Sequence, residues 1–205
     1  EFSQKDHIIE PSELPYNWIR IRGCDYGFSS PSCVLWGAID WDGCIWIYRE
    51  LYQTKQTADK LADLILAMES DDPPMYLSVL DKSCWNRTGT GKSIALTMIE
   101  KGLRWVPSNS DRMHGKQEVH KRLQLDSNFQ PKLRIFNTCT NLIRTLPTLP
   151  LSKTNSEDVD TKADDHAYDA LRYMLMTQQS NRSFVPSYFR GADQQHQVQD
   201  SVFGY

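Results

Sequence analysis

Trp18-Ile19-Arg20-Ile21-Arg22-Gly23-Cys24-Asp25 alternates apolar with polar residues until it reaches an acid, and Tyr26-Gly27 and Pro31 then turn the chain. This stretch and the two apolar runs after it decide the fold. Cys33 to Asp40 is the second run. Asp42-Gly43 stands between Ile39-Asp40-Trp41 and Cys44-Ile45-Trp46-Ile47-Tyr48, and such a dipeptide is favoured in two-residue hairpin loops. The three runs predict an antiparallel meander whose first strand ends on Asp25.

Downstream, Thr57 to Met68 switches to helical spacing, with Leu61, Leu64, Ile65 and Met68 on one face, and Pro73-Pro74 breaks it. Tyr76-Leu77-Ser78-Val79-Leu80-Asp81 reads as a short buried strand that also ends on an acid. A helix is expected from Ser93 to Lys101, with Gly102 as its C-cap, then a brief strand from Leu103 to Val106 ended by Pro107. His114 to Leu125 and Cys139 to Leu146 read as helices, with a strand at Leu133 to Phe136 between them. Ser152 to Lys162 is acidic and without pattern. Ala163 to Thr177 is the clearest helix, with Ala167, Ala170, Leu171, Met174 and Leu175 on one face. The expected organisation is an arm or linker over residues 1–17, one domain over 18–178, and a polar, glutamine-rich tail over 179–205. The expected fold class is α/β: a mixed central sheet, antiparallel in its first three strands and then parallel, with helices on both faces.

The 205 residues suffice for one sizeable core, and 40% hydrophobic with 24% charged residues is a globular profile. No run approaches the roughly 18 apolar residues of a membrane span, and no apolar signal segment opens the chain. The start at Glu1-Phe2, without methionine, reads as a segment excised from a longer protein. The five cysteines are scattered with no CxxC pair, which speaks against a cysteine zinc site or a disulfide framework. A net charge of −3 argues weakly against an all-round nucleic-acid binder, but a site that gathers cations can be acidic within a basic rim.

The acids fall in a pattern. Asp25 ends the first strand, Asp81 ends the fourth, and Asp164-Asp165-His166 opens the last helix with Asp169 one turn further in. A carboxylate at the end of a buried strand is costly unless a cation or hydrogen bonds compensate it. Taken singly, an Asp before a glycine turn is an ordinary turn residue, and Asp164 or Asp165 an ordinary helix cap. Taken together, three such groups make an oxygen-rich site suited to Mg²⁺ or Mn²⁺. Two ions about 3.5–4 Å apart would serve phosphodiester hydrolysis.

The set Asp25-Tyr26-Gly27…Pro31, Asp81 after an apolar strand, Ser108-Asn109-Ser110-Asp111-Arg112-Met113-His114-Gly115, and Asp165-His166-Ala167-Tyr168-Asp169-Ala170-Leu171-Arg172-Tyr173 resembles the nuclease domain of tailed-phage large terminases. The resemblance covers about residues 18 to 176. It implies an RNase H-like fold, shared with RuvC-type resolvases, and an endonuclease that cuts concatemeric double-stranded viral DNA during genome packaging. It implies Asp25, Asp81 and Asp169 as catalytic metal ligands, with Asp25 bridging two ions, and His166 beside them, since a histidine here contacts a metal in some members. Asp165 is the alternative third acid. Asn109, Arg112, Lys116 and Lys121, with Gly115, are candidates for holding the phosphate backbone; a solvated helix face is the other reading of these charges. The implied partners are a packaging ATPase domain in a separate N-terminal region, the portal and the small terminase subunit, and the implied location is the host cytoplasm.

Asn86-Arg87-Thr88-Gly89-Thr90-Gly91-Lys92-Ser93 imitates a phosphate-binding loop, but asparagine stands where the first glycine is needed. A P-loop nucleotide-binding module is therefore one rival reading. A RuvC-like junction or RNA–DNA hybrid nuclease, using the same acids, is the other.

Overall fold

A computed structural model describes residues 2–87, 89, 91–147 and 164–180. In chain order its elements are α1 (Gln4–His7), β1 (Ile8–Ile9), β2 (Ile19–Asp25), β3 (Ser32–Ile39), β4 (Ile45–Gln53), α2 (Ala58–Met68), β5 (Met75–Leu80), a 3₁₀ turn (Lys82–Trp85), α3 (Ile94–Glu100), β6 (Val106–Pro107), α4 (Arg112–Leu123), β7 (Leu133–Phe136), α5 (Thr140–Thr145) and α6 (His166–Ser180). The expected acidic segment 152–162 and nearly all of the expected tail lie outside the described residues.

The strands form one mixed sheet in the order β1-β7-β4-β3-β2-β5-β6. β3 is antiparallel to β2 and β4, as the meander reading expects, and every other neighbouring pair is parallel. All strands except β3 therefore deliver their carboxyl ends to the same end of the sheet. The β3–β4 turn is built as the Asp42-Gly43 signal suggests. Gly43 adopts φ +74°, and the Asp40 carboxylate accepts from the Asp42 and Cys44 N–H groups at 3.0 and 2.8 Å.

Helices cover both faces. Ile21, Leu35, Ile45, Ile47, Val79 and Ile135 pack under α4, α5 and α6, while Cys24, Val34, Trp36 and Leu80 pack under α2 and α3. α6 lies close against β2. A Cβ at Gly23 would lie 2.3 Å from the Ala170 carbonyl oxygen and 2.9 Å from Met174 Cβ, so only glycine lets this helix rest on this strand. Asp25, two residues on and on the same face, is thereby brought to the first turn of α6.

Part of the expected arm over residues 1–17 belongs to the sheet. β1 pairs in parallel with β7, Ile8 opposite Ile135, so the segment supplies an edge strand of the sheet. His7 is fully buried, and its Nε2 donates to the Leu123 carbonyl at 2.9 Å. A two-residue strand has no period to read, and its partner lies more than 120 residues away in the sequence. The short strand expected at Leu103–Val106 is instead Val106–Pro107. Proline is accommodated because β6 is the edge of the sheet, and the ladder continues through Ser108 N–H to Leu80 O at 2.9 Å.

Candidate metal centre

The β2–β5 register pairs Cys24 with Leu80, so Asp25 and Asp81 follow as the next rung of adjacent parallel strands. The Asp81 N–H donates to the Cys24 carbonyl at 3.1 Å, which extends the ladder to that rung. Asp81 is half-buried; its carboxylate caps the following 3₁₀ turn, accepting from Ser83 N at 3.1 Å and Ser83 Oγ at 2.6 Å. Asp25 is 9% exposed, and its Oδ2 accepts from His166 Nδ1 at 2.8 Å. Burial pushes the Asp25 carboxyl above the usual range, as do the neighbouring Asp169 and Asp81 carboxylates, with the His166 bond opposing. The His166 imidazole is raised in turn, chiefly by that same bond.

The last helix brings the other acids. Asp165, immediately before α6, and Asp169, in its first turn, are both buried, and the Asp169 N–H donates to the Asp165 carbonyl at 2.8 Å. Burial and the Asp169 charge push the Asp165 carboxyl up to about 6, against the pull of His166 and Arg112. Arg112 Nη2 lies 3.5 Å from Asp165 Oδ2. Asp169 is held by Arg172, whose Nε and Nη2 lie 3.1 and 3.0 Å from Oδ1. Asp164 leaves the cluster, bonding to the Tyr52 hydroxyl and, at 2.7 Å, to Arg144. The Tyr173 phenol is raised by burial and by the Asp169, Asp25 and Asp81 carboxylates.

Among the described residues, no three His, Cys, Asp or Glu side chains stand in ready coordinating geometry. The acids are braced instead by Ser83, His166 and Arg172. The donor chemistry nonetheless fits a hard divalent cation. The donors are carboxylate oxygens from separate elements, and burial disfavours the charged forms of Asp25 and Asp165, a cost that a cation would relieve.

The other expected site residues divide. Asn109 caps the approach to α4, its Oδ1 accepting from Asp111 N–H at 2.9 Å. Arg112 is turned onto Asp165, and Lys116 follows one helical turn later, half-exposed. Lys121 is exposed in the last turn of α4, about 13 Å along the helix from Arg112, and is not brought to the acids. In the loop that imitates a phosphate-binding loop, Lys92 Nζ pairs with Glu100 at 2.9 Å and Ser93 Oγ caps α3, accepting from Leu96 N–H at 3.1 Å. The part played by Arg172, and by Gly115 against which it packs, is not legible from spacing. Asp169 and Arg172 at i, i+3 is the available signal, although that spacing is also common in surface pairs. A cavity of about 580 Å³, lined by Tyr16, Trp18, Trp41, Pro74, Met75 and Tyr76, opens at the opposite end of the sheet.

No family model matches the chain, and no curated protein matches it in sequence. Solved structures do. The chain is similar to the large terminase from the thermophilic bacteriophage D6E, with a TM-score of 0.71 at 17% identity over 86% of this chain and 43% of that one. It is similar to the P22 large terminase nuclease domain, with a TM-score of 0.69 at 17% identity over 87% of this chain and 91% of that one. The large terminase nuclease from thermophilic phage G20c, with bound magnesium, gives 0.56 at 11% identity over 83% and 92% of the two chains. The G20c nuclease also occurs with cobalt and with zinc bound, and the D6E protein in complex with ADP and with ATP-gamma-S. The chain thus spans less than half of the D6E protein and nearly all of the nuclease domains.

Proposed function

We propose that this chain, whose mixed sheet has the RNase H-like fold of the large-terminase nuclease domains, is a divalent-metal-dependent endonuclease that cuts double-stranded viral DNA during genome packaging. One observation carries the reading: two acids on one rung of adjacent strand ends face two more at the first turn of the helix packed on Gly23. The metal complexes of the G20c nuclease support it from outside the chain. Over half of the D6E large terminase lies beyond the matched region, and that protein forms complexes with nucleotides. In this reading, cutting by this chain is coupled to a packaging ATPase domain of the same polypeptide, and through it to portal and small subunit.

Asp25, Asp81 and Asp169, with Asp165 beside them, would hold Mg²⁺ or Mn²⁺. A divalent ion bound there supplies Lewis acidity to the scissile phosphate and a more acidic water. His166 keeps Asp25 oriented through Nδ1, which is committed to Oδ2 of that acid. Arg112 offsets the charge of Asp165 and stands where a phosphate oxygen could compete for it. Lys116 extends that cationic flank by one turn.

The test is cleavage of supercoiled plasmid in Mn²⁺. Wild type should nick and linearise it and stop in EDTA, while Asp25→Asn and Asp81→Asn should lose activity at least about a hundredfold with unchanged circular dichroism. Wild-type-like cutting by either variant would remove the proposed site. Preference for a four-way junction or an RNA–DNA hybrid over linear duplex would move the substrate assignment to the resolvase or hybrid class.

A further inference from the structure

We infer that Arg172 is a positioning residue that restricts Asp169 to one donor oxygen, and that Gly115 is the notch in α4 that keeps it there. The inference rests on the metal-dependent reading above. An ordinary arginine–carboxylate fork sets one nitrogen on each oxygen and engages both. Here Nε at 3.1 Å and Nη2 at 3.0 Å both meet Oδ1, and among the described residues no hydrogen bond is made to Oδ2. Oδ1 is thus committed to two charge-assisted contacts, and Oδ2 is the oxygen that would be offered to a cation.

Arg172 is only 2% exposed, so this is not a solvated pair of the kind common on helix surfaces. Burying both charges gains little stability over two apolar side chains, which makes a fixed charge beside Asp169 the better account of its presence. Packing sets the position of the guanidinium. A Cβ on Gly115 would lie 2.5 Å from Arg172 Cγ and 2.6 Å from Cδ, so the arginine stem runs directly across the bare backbone of α4. Its Cζ sits 4.6 Å from the centre of the Tyr173 ring, and Nη1 is buried without a hydrogen-bond partner. No hydrogen bond on the α4 side therefore steers the group; the notch and the ring do.

Two variants separate this role from mere packing. Arg172→Lys keeps the charge but replaces a rigid fork by a point donor. Gly115→Ala keeps the arginine and displaces it, while alanine itself favours the helix by about 1 kcal/mol. Mn²⁺ binding is read by calorimetry, the coordination of Co²⁺ by its visible absorption, and folding by circular dichroism in EDTA. Both variants should bind Mn²⁺ roughly 10- to 100-fold more weakly and change the Co²⁺ spectrum. Wild-type affinity and an unchanged Co²⁺ spectrum in the folded variants would overturn the role of Arg172 and leave the metal site standing. Absence of Mn²⁺ binding in the wild type would overturn both. If Arg172→Lys does not fold, Gly115→Ala decides alone.

Discussion

Asp165 and His166 are neighbours with opposite responses to the site. Burial and Asp169 hold the Asp165 carboxyl up at about 6, so the folded state binds its proton more tightly than the unfolded chain does. Its contribution to stability is therefore complete below the unfolded carboxylate range near 4 and is lost as pH rises through about 6. In EDTA, Asp165→Asn should abolish that dependence, gaining on the order of 2 kcal/mol over wild type between pH 4 and pH 7 in urea unfolding. A wild-type pH profile identical to that of the variant would show that the acid is not strained. Mn²⁺ at pH 7 should recover stability in the wild type, because ligation replaces the proton. At this scale the sequence was partly legible. Asp25 and Asp81 stand at strand ends that alternation and apolar runs mark. Asp165 and Asp169 both face inward, so spacing alone had no means of choosing between them. Arg172 was invisible because what defines it is a contact with Gly115, 57 positions earlier on another helix.

Two elements take their place from single residues elsewhere. α6 lies on β2 through Gly23, and Gly23→Ala puts a methyl group at 2.3 Å from a helix carbonyl. The strand and helix must separate, at a cost of about 1–3 kcal/mol or more, and Asp25 moves away from His166. Loss of Mn²⁺ affinity together with a lowered unfolding temperature is expected; a variant as stable as wild type would contradict the close approach. α5 has no cap of its own, since Cys139 makes no side-chain bond at its start. Glu50 on β4 supplies one, accepting from Asn141 N–H at 2.9 Å and Leu142 N–H at 2.7 Å. Glu50→Ala should cost about 0.5–2 kcal/mol in urea unfolding without altering metal affinity. The meander and α6 were readable because each repeats its own period over a long stretch. β1 was not, being two residues long and defined only by its distant partner. β6 was displaced because the proline that ends an ordinary strand is harmless at an edge.

Across the whole molecule, the parallel strands give the sheet a polarity, with acids at the carboxyl ends and the aromatic cavity at the other end. β1 closes one edge over β7. Removing residues 1–9 should bare that edge, lower the unfolding temperature and produce concentration-dependent scattering, whereas the shortened chain remaining monomeric and as stable would show the strand to be dispensable. No helix among the described residues is long and apolar enough to cross a membrane. The bond between Asp25 and His166 joins residues 141 positions apart. During synthesis the ribosome releases the two strand acids long before it releases the helix that faces them. A nascent or prematurely terminated chain thus carries half of the acid set and none of α6. On the metal-dependent reading proposed above, the acid set is therefore completed only when the last helix is made.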